Sequence, residues 1–349
     1  MKKLAKQVLG IDVAQNELVV CLASKYDDLS DGIYQHKTFV NSAKGFEAML
    51  QWVKKNTDAT LPVHYVMEAT GVYHESLAYF LTDLAFPVSI ILPNKINSYA
   101  KTLETKTVTD KTASEAIAQF GIDRKTDLWQ QPAPVYKKIR QLTRERDQIV
   151  FERTLVKNQL HAEKAEGRPN KSSITRCEKR IAMLDQQEKE IRVEIVEHVK
   201  SDNEVSRLLN LLCSIPGIAN LTAATILAET NGFDLIRNKR QLTSYAGLDV
   251  KEHISGTSIN GKPRISKRGN RFLRKCLHMP ALTAIQHDER FKAIYHRLIS
   301  KHGVKMKAAV AIQRKLLEMT FTVIKSNKKY DQNYLKNKEV VKLQAEVEN

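Results

Sequence analysis

Nothing in this chain stays apolar for long. Hydrophobic residues fill 42% of its 349 positions, enough for globular cores. Yet no stretch approaches the roughly 20 consecutive apolar residues of a membrane-spanning helix, and no amphipathic membrane anchor is evident. The basic start, Met1-Lys2-Lys3-Leu4-Ala5-Lys6, runs straight into a strand pattern and lacks the apolar core and cleavage site of a secretion signal. Cysteine is scarce: Cys21, Cys177, Cys213 and Cys276 are scattered, without the paired spacing of zinc or redox sites. They read as reduced thiols in a cytoplasmic protein. Acidic residues are also short, 39 against 56 lysines and arginines, giving a formal net charge of +17. A balance so basic favours nucleic acid as partner over a membrane surface or an acidic protein.

What is present divides the chain by composition. Residues 1–130 read as α/β. Apolar runs at 8–13, 18–23 and 33–40 predict three strands, and Asn41 is the expected cap of an amphipathic helix over 42–55. Strands at 62–69 and 87–92 then alternate with helices at 73–84 and 94–120. That order matches the ribonuclease H arrangement. Residues 131–203 are a linker carrying Pro132 and Pro134 and then a charged helical hairpin. One stripe is Ile139, Leu142, Ile149, Val156 and Leu160 with Arg146 and Arg153 at its polar positions; the second is Ile174, Cys177, Ile181, Leu184, Ile191 and Ile195. An intramolecular strut and a dimerising coiled coil both fit these stripes. Residues 204–332 are mostly helical and open on Ser214-Ile215-Pro216-Gly217-Ile218, an apolar-Pro-Gly-apolar turn of the helix-hairpin-helix kind, in which Gly217 lets the backbone approach a phosphate. Residues 333–349 form a charged tail. The fold class is thus α/β plus α.

Two constellations carry chemistry. Asp12 ends the run Val8-Leu9-Gly10-Ile11, Glu68 ends Val63-His64-Tyr65-Val66-Met67, and Asp110 opens the helical stretch to Ala118, where alone it reads as an N-cap. Carboxylates at strand ends beside an apolar core bind hard divalent ions through oxygen, and two-metal phosphodiester chemistry uses several of them around ions ~3.5–4 Å apart. The second constellation lies between Lys251 and Lys275, with eight lysines and arginines and one glutamate. Lys262, Arg264, Lys267, Arg268, Asn270, Arg271 and Arg274 are the candidate nucleic-acid contacts, aided by amides at the start of the helix that follows. Ser255, before Gly256, is either a phosphate-contacting loop serine or a nucleophile activated by this positive surround; Ser258 and Ser266 are the alternatives, Ser266 also as the cap of that helix.

Both constellations resemble one family over nearly the whole chain: insertion-sequence transposases with an N-terminal RuvC-like DEDD domain and a C-terminal serine domain. These are bridge-RNA-guided DNA recombinases, related to the Piv DNA invertase. The resemblance rests on Gly10-Ile11-Asp12, Met67 to Tyr73, Lys106 to Ala118, Ser214 to Ile218, Tyr245-Ala246-Gly247-Leu248, Ser255-Gly256 and Ser266-Lys267-Arg268-Gly269-Asn270. It implies that Asp12, Glu68 and Asp110 bind Mg2+ or Mn2+, and that Ser255 forms a covalent phosphoserine with the DNA 5′ end. It also implies partners: donor and target DNA, a non-coding bridge RNA whose base pairing selects them, and further copies of the chain in a dimer or tetramer whose coiled coils assemble it. One position departs. The family places a second aspartate three residues after the first on this helix, and here that residue is Ala113, which cannot ligate a metal. Divergence of the element and a substitution introduced to inactivate it both account for the change. Two other classes fit the residues, a RuvC-like metal-dependent junction nuclease that needs the acids but not Ser255, and a non-catalytic nucleic-acid-binding scaffold.

Overall fold

A computed structural model describes residues 2–30, 32, 34–69, 71–103, 107, 109–234, 236–255 and 259–334, with the backbone alone described at 253–255, 259, 260 and 262. The chain divides into two compact units, 1–131 and 132–349. No helix among the described residues is long and apolar enough to cross a membrane.

The first unit is mixed α/β. Its elements run β1 (Leu4–Val13), β2 (Glu17–Tyr26), β3 (Gln35–Val40), α1 (Ala43–Asn56), β4 (Val63–Glu68), α2 (Glu75–Asp83), β5 (Val88–Ile91), α3 (Pro93–Ala100) and α4 (Asp110–Asp123). The strands form one sheet in the order β3-β2-β1-β4-β5. β1, β2 and β3 pair antiparallel, while β1–β4 and β4–β5 are parallel. Side chains alternate across a strand, so β1 feeds two cores. Leu9, Ile11 and Val13 pack with Phe46, Met49 and Val53 of α1 and Leu77 and Leu81 of α2. Val8 packs on the opposite face with Val66 of β4 and Ile117, Ala118 and Ile122 of α4.

On that second face Gly10 faces α4. A Cβ there would lie 2.3 Å from the Ala118 nitrogen and 2.5 Å from the Ser114 oxygen, so the helix backbone rests directly on the strand. The caps differ from the sequence expectation by one residue each. Ser42, not Asn41, caps α1 by accepting the Gly45 amide, because Asn41 instead donates to the Ala14 and Tyr73 carbonyls. Thr109 caps α4 in a reciprocal box with Thr112, which places Asp110 in the first turn.

The second unit opens with two long helices, α5 (Pro134–Ala165) and α6 (Lys171–Lys200). Then come α7 (Asn203–Cys213), α8 (Asn220–Thr230), a single 3-10 turn, α9 (Lys239–Ala246), the hairpin β6 (Val250–Ser255) and β7 (Ile259–Ile265), α10 (Arg271–Cys276), α11 (His278–His287), α12 (Glu289–His302) and α13 (Lys305–Ser326). One buried cluster joins the stripes of α5 and α6 to these helices, from Ile139, Leu142 and Ile191 through Leu212, Leu227 and Leu242 to Ile312 and Leu316. The polar positions of the α5 stripe are answered within the chain. Arg146 donates to Glu188 at 2.7 Å and Arg153 to Asp185 at 2.6 Å and also to Glu188, while Arg192 adds a bond to Glu188 from its own helix.

Glu188 is 5% exposed. Burial opposes its charge, but hydrogen bonds from Arg192, Arg146 and Arg153 outweigh it and hold the carboxyl at about 2, below its ordinary 4.5. A depressed carboxyl pKa stabilises the fold above the unfolded value, and that contribution disappears as pH falls from 4.5 towards 2. The second unit is therefore expected to lose stability across that window. Glu188→Gln should flatten the acid limb and cost about 1.5–3 kcal/mol at neutral pH through the lost charge-assisted bonds, since the arginines keep access to water. Chemical denaturation at a series of pH values checks both.

Candidate nucleic-acid-processing site

The two strand-end carboxylates, Asp12 and Glu68, share one face of the sheet. Asp12 follows Val8 and Gly10 in the pleat, on the side covered by α4, and Glu68 follows Val66 on the same side of β4. Ile11 is level with Met67, so the two acids end adjacent parallel strands. Asp110 opens the helix laid over that face. The pKa of Asp12 is raised, chiefly by burial and then by the negative charge of Asp110, with a hydrogen bond from the Val13 amide opposing. Two acids are thus brought within electrostatic reach of each other, and the third stands on the next strand.

Among the described residues no three His, Cys, Asp or Glu side chains are grouped closely enough to hold a metal ion. The donor set nonetheless suits one. Oxygen ligands alone, with a half-buried carboxylate already repelled by its neighbour, favour a hard divalent cation. Ala113 sits half-buried one turn into α4, and a methyl group stands where the family resemblance implies a fourth acid. Its neighbours do not replace it: the Ser114 hydroxyl donates to the Lys111 carbonyl, and Glu115 lies 2.8 Å from His36 of β3.

In the second unit the basic segment is built as one interlocked piece. Gly247 follows α9 at φ +67°, and Gly269 precedes α10 at φ +150°. A Cβ on Gly269 would lie 2.4 Å from the Tyr245 carbonyl, and one on Gly247 would lie 3.1 Å from the backbone of Arg268. Each glycine seats the other's backbone. The Asn270 amide donates to the Tyr245 carbonyl at 2.7 Å, Lys267 to Gly247 at 3.1 Å, and Ser266 to Asp249 at 2.8 Å.

The seven nucleic-acid candidates separate here. Arg264, Lys267, Arg268 and Arg271 are exposed, and the guanidinium of Arg271 stands 4.9 Å from the Phe272 ring centre. The Lys262 side chain lies outside the described residues. Arg274 turns inward, donating to the Ala246 and Gly269 carbonyls at 2.7 and 3.1 Å. Asn270 also turns inward and, in place of Ser266, caps α10 by accepting the Phe272 and Leu273 amides at 2.9 and 3.2 Å. Those amides are therefore not open to a phosphate. Ser266 is engaged by Asp249, to which its hydroxyl donates at 2.6 Å.

Ser255 ends β6 opposite Ile259; its side chain and all of Gly256, Thr257 and Ser258 lie outside the described residues. Gly217 adopts φ +84° and faces the Pro280 carbonyl, where a Cβ would lie at 2.4 Å, so packing within the chain already requires a glycine. Sequence reasoning missed two residues altogether. Glu229 of α8 is 2% exposed; Arg144 of α5 grips both its carboxylate oxygens at 2.8 and 2.9 Å, and Asn270 donates to it at 2.6 Å. An acid inside the apolar helix Asn220–Thr230 was the only available signal.

Because Asp12 is charged against both burial and Asp110, replacing it relieves a cost. Asp12→Asn is expected to raise the thermal midpoint in metal-free buffer by a few degrees, while weakening Mn2+ binding by an order of magnitude or more. Calorimetry of the two chains measures both, and a lowered midpoint would contradict the geometry.

The pattern of the transposase IS116/IS110/IS902 family matches residues 209–296, and that of the DEDD transposases of the IS110 group matches residues 9–163. A pilin gene-inverting protein of Moraxella bovis is 29% identical over 94% of this chain and 98% of its own length. The transposase for insertion sequence element IS1111A of Coxiella burnetii is 23% identical over 93% of this chain and 91% of its own. Among solved structures, T. thermophilus RuvC in complex with a Holliday junction substrate aligns over 35% of this chain and 99% of its own, at 10% identity and a TM-score of 0.27. With both patterns matched in order along one chain, this protein belongs to the IS110 family of transposases.

Proposed function

We propose that this transposase exchanges DNA strands through a covalent 5′-phosphoserine at Ser255, assisted by a divalent-ion site on Asp12, Glu68 and Asp110 and directed by a non-coding RNA. The observation that carries the reading is the convergence of Asp12 and Asp110 on the α4 face of the sheet, with Glu68 ending the neighbouring strand. A Mg2+ or Mn2+ ion there would supply charge stabilisation to the phosphodiester.

At the serine, the Ser255 hydroxyl loses its proton as its oxygen bonds to phosphorus. The bond from phosphorus to the 3′ oxygen breaks, and that oxygen takes up a proton. An incoming 3′ hydroxyl then attacks the phosphoserine and releases the serine, so the phosphodiester count is conserved and no nucleotide cofactor is consumed. Arg264, Lys267 and Arg268, exposed at the hairpin and the turn after it, supply positive charge for the polyanion. The pilin gene-inverting relative supports the recombinase reading, since inversion requires cutting and rejoining.

Ala113 favours a second reading, a chain that binds nucleic acid without turning over. Ala113→Asp separates the two. It is expected to raise strand exchange by orders of magnitude, because groups acting as a unit fail together. In that background Ser255→Ala should abolish a covalent protein–DNA adduct, resolved on a denaturing gel, yet retain DNA binding. An adduct that persists and maps to Ser258 or Ser266 would falsify the nucleophile assignment.

The RNA is tested separately. With a net charge of +17, binding is expected to weaken steeply with salt. RNA copurifying with the protein should map to DNA flanking its gene. Equal affinity for unrelated structured RNA of the same length would show a general binder instead.

A further inference from the structure

We propose that Glu229 is a positioning residue for strand exchange: through Asn270 it fixes the root of the β6–β7 hairpin and so the placement of Ser255. The proposal rests on the reading of Ser255 as nucleophile.

Glu229 is a charge that packing alone does not require. A buried ion pair is often no more stabilising than apolar residues of the same volume, and its neighbours in α8, Ala223, Ala224, Ile226, Leu227 and Ala228, are themselves buried. Its bonds lead in one direction. Arg144 fixes both oxygens from α5 and stacks 4.5 Å over Phe272 of α10. The Tyr245 hydroxyl donates to the Glu229 main-chain carbonyl at 2.9 Å. Asn270 donates to the carboxylate with its amide group, while its carbonyl caps α10 and its backbone N–H binds Tyr245. A single side chain therefore ties a buried charge to the point where the chain leaves the hairpin for α10.

From that point back to the hairpin there is no slack. Ser266 is bonded to Asp249 through both backbone and hydroxyl, and Lys267 to Gly247. Val250 opposite Ile265 forms the root, and Ser255 opposite Ile259 the far end. Five residue steps of strand span about 17 Å. A tilt of roughly 10° at the root then moves the far end by about 3 Å, and displacements near 1 Å can cost about a hundredfold in rate.

The deciding variant is Asn270→Ser, made in the full Ala113→Asp chain. Serine caps a helix about as well as asparagine but is too short to reach Glu229. The expected result is a thermal midpoint lowered by a few degrees through the lost bond to a buried carboxylate, unchanged DNA affinity, and adduct formation slowed about a hundredfold at a temperature where the variant is fully folded. Glu229→Gln, which keeps an acceptor but not the charge, should slow it by a smaller factor at a temperature where the variant is fully folded. A parental rate in Asn270→Ser overturns the proposal. So does a rate loss matched by lost DNA binding, which would make Asn270 a nucleic-acid contact.

Amide hydrogen exchange in β6 and β7 gives a readout independent of Ser255 and of turnover. Exchange at least tenfold faster in Asn270→Ser supports the anchor even if Ser255→Ala shows that another group is the nucleophile; unchanged exchange overturns it.

Discussion

Two backbones touch where α4 crosses β1, and the acid site follows from that contact. With no side chain at residue 10, the helix lies against the strand at Ser114 and Ala118. Asp110 is one turn before Ser114, and Asp12 is two residues beyond Gly10 on the same face. Lowering the helix onto the strand is what brings the two charges into each other's field. A larger residue at 10 would lift the helix, at a strain of about 1–3 kcal/mol, and part the acids. Burial is the larger cause of the raised pKa of Asp12, and the charge of Asp110 adds to it, so the same contact carries an electrostatic cost.

Among the described residues three acids are buried, Glu188, Glu229 and Asp288, and the first two gather cationic or amide partners. Glu188 collects Arg146, Arg153 and Arg192 between two helices; Glu229 collects Arg144 and Asn270 beneath the turn 266–270. Each carboxylate ties side chains of separate elements of the second unit at one point. The cations left exposed on the 264–271 segment, Arg264, Lys267, Arg268 and Arg271, owe their placement to partners that are not.

How much could be read from the sequence depended on whether the signal was local. Strand-ending Asp12 and Glu68 stood out because an apolar run precedes each, and the order of strands and helices in the first unit follows from period-two and period-3.6 patterns. Caps were displaced, by one residue from Asn41 to Ser42 and by four from Ser266 to Asn270, because nearby polar residues compete for one role and tertiary partners decide. Asn270 read as a phosphate contact since its neighbours are Arg268 and Arg271; only folding shows that Glu229, 41 residues away, claims its side chain. Glu229 and Arg144 were invisible for the same reason: a charged residue in a helix looks solvated until its partner is found. The sequence around Gly217 marks a turn, but the Pro280 carbonyl that requires its small size lies on another helix.

The interlock of Gly247 with Gly269 bears on how such chains can be recombined with one another. Tyr245 to Leu248 and Ser266 to Asn270 each fill space the other leaves, so neither can be exchanged for a relative's version by itself. A hybrid joined anywhere from 229 to 274 would set one parent's knob against the other parent's socket. Crossovers at 131/132, between the compact units, would keep every such pairing inside a single parent.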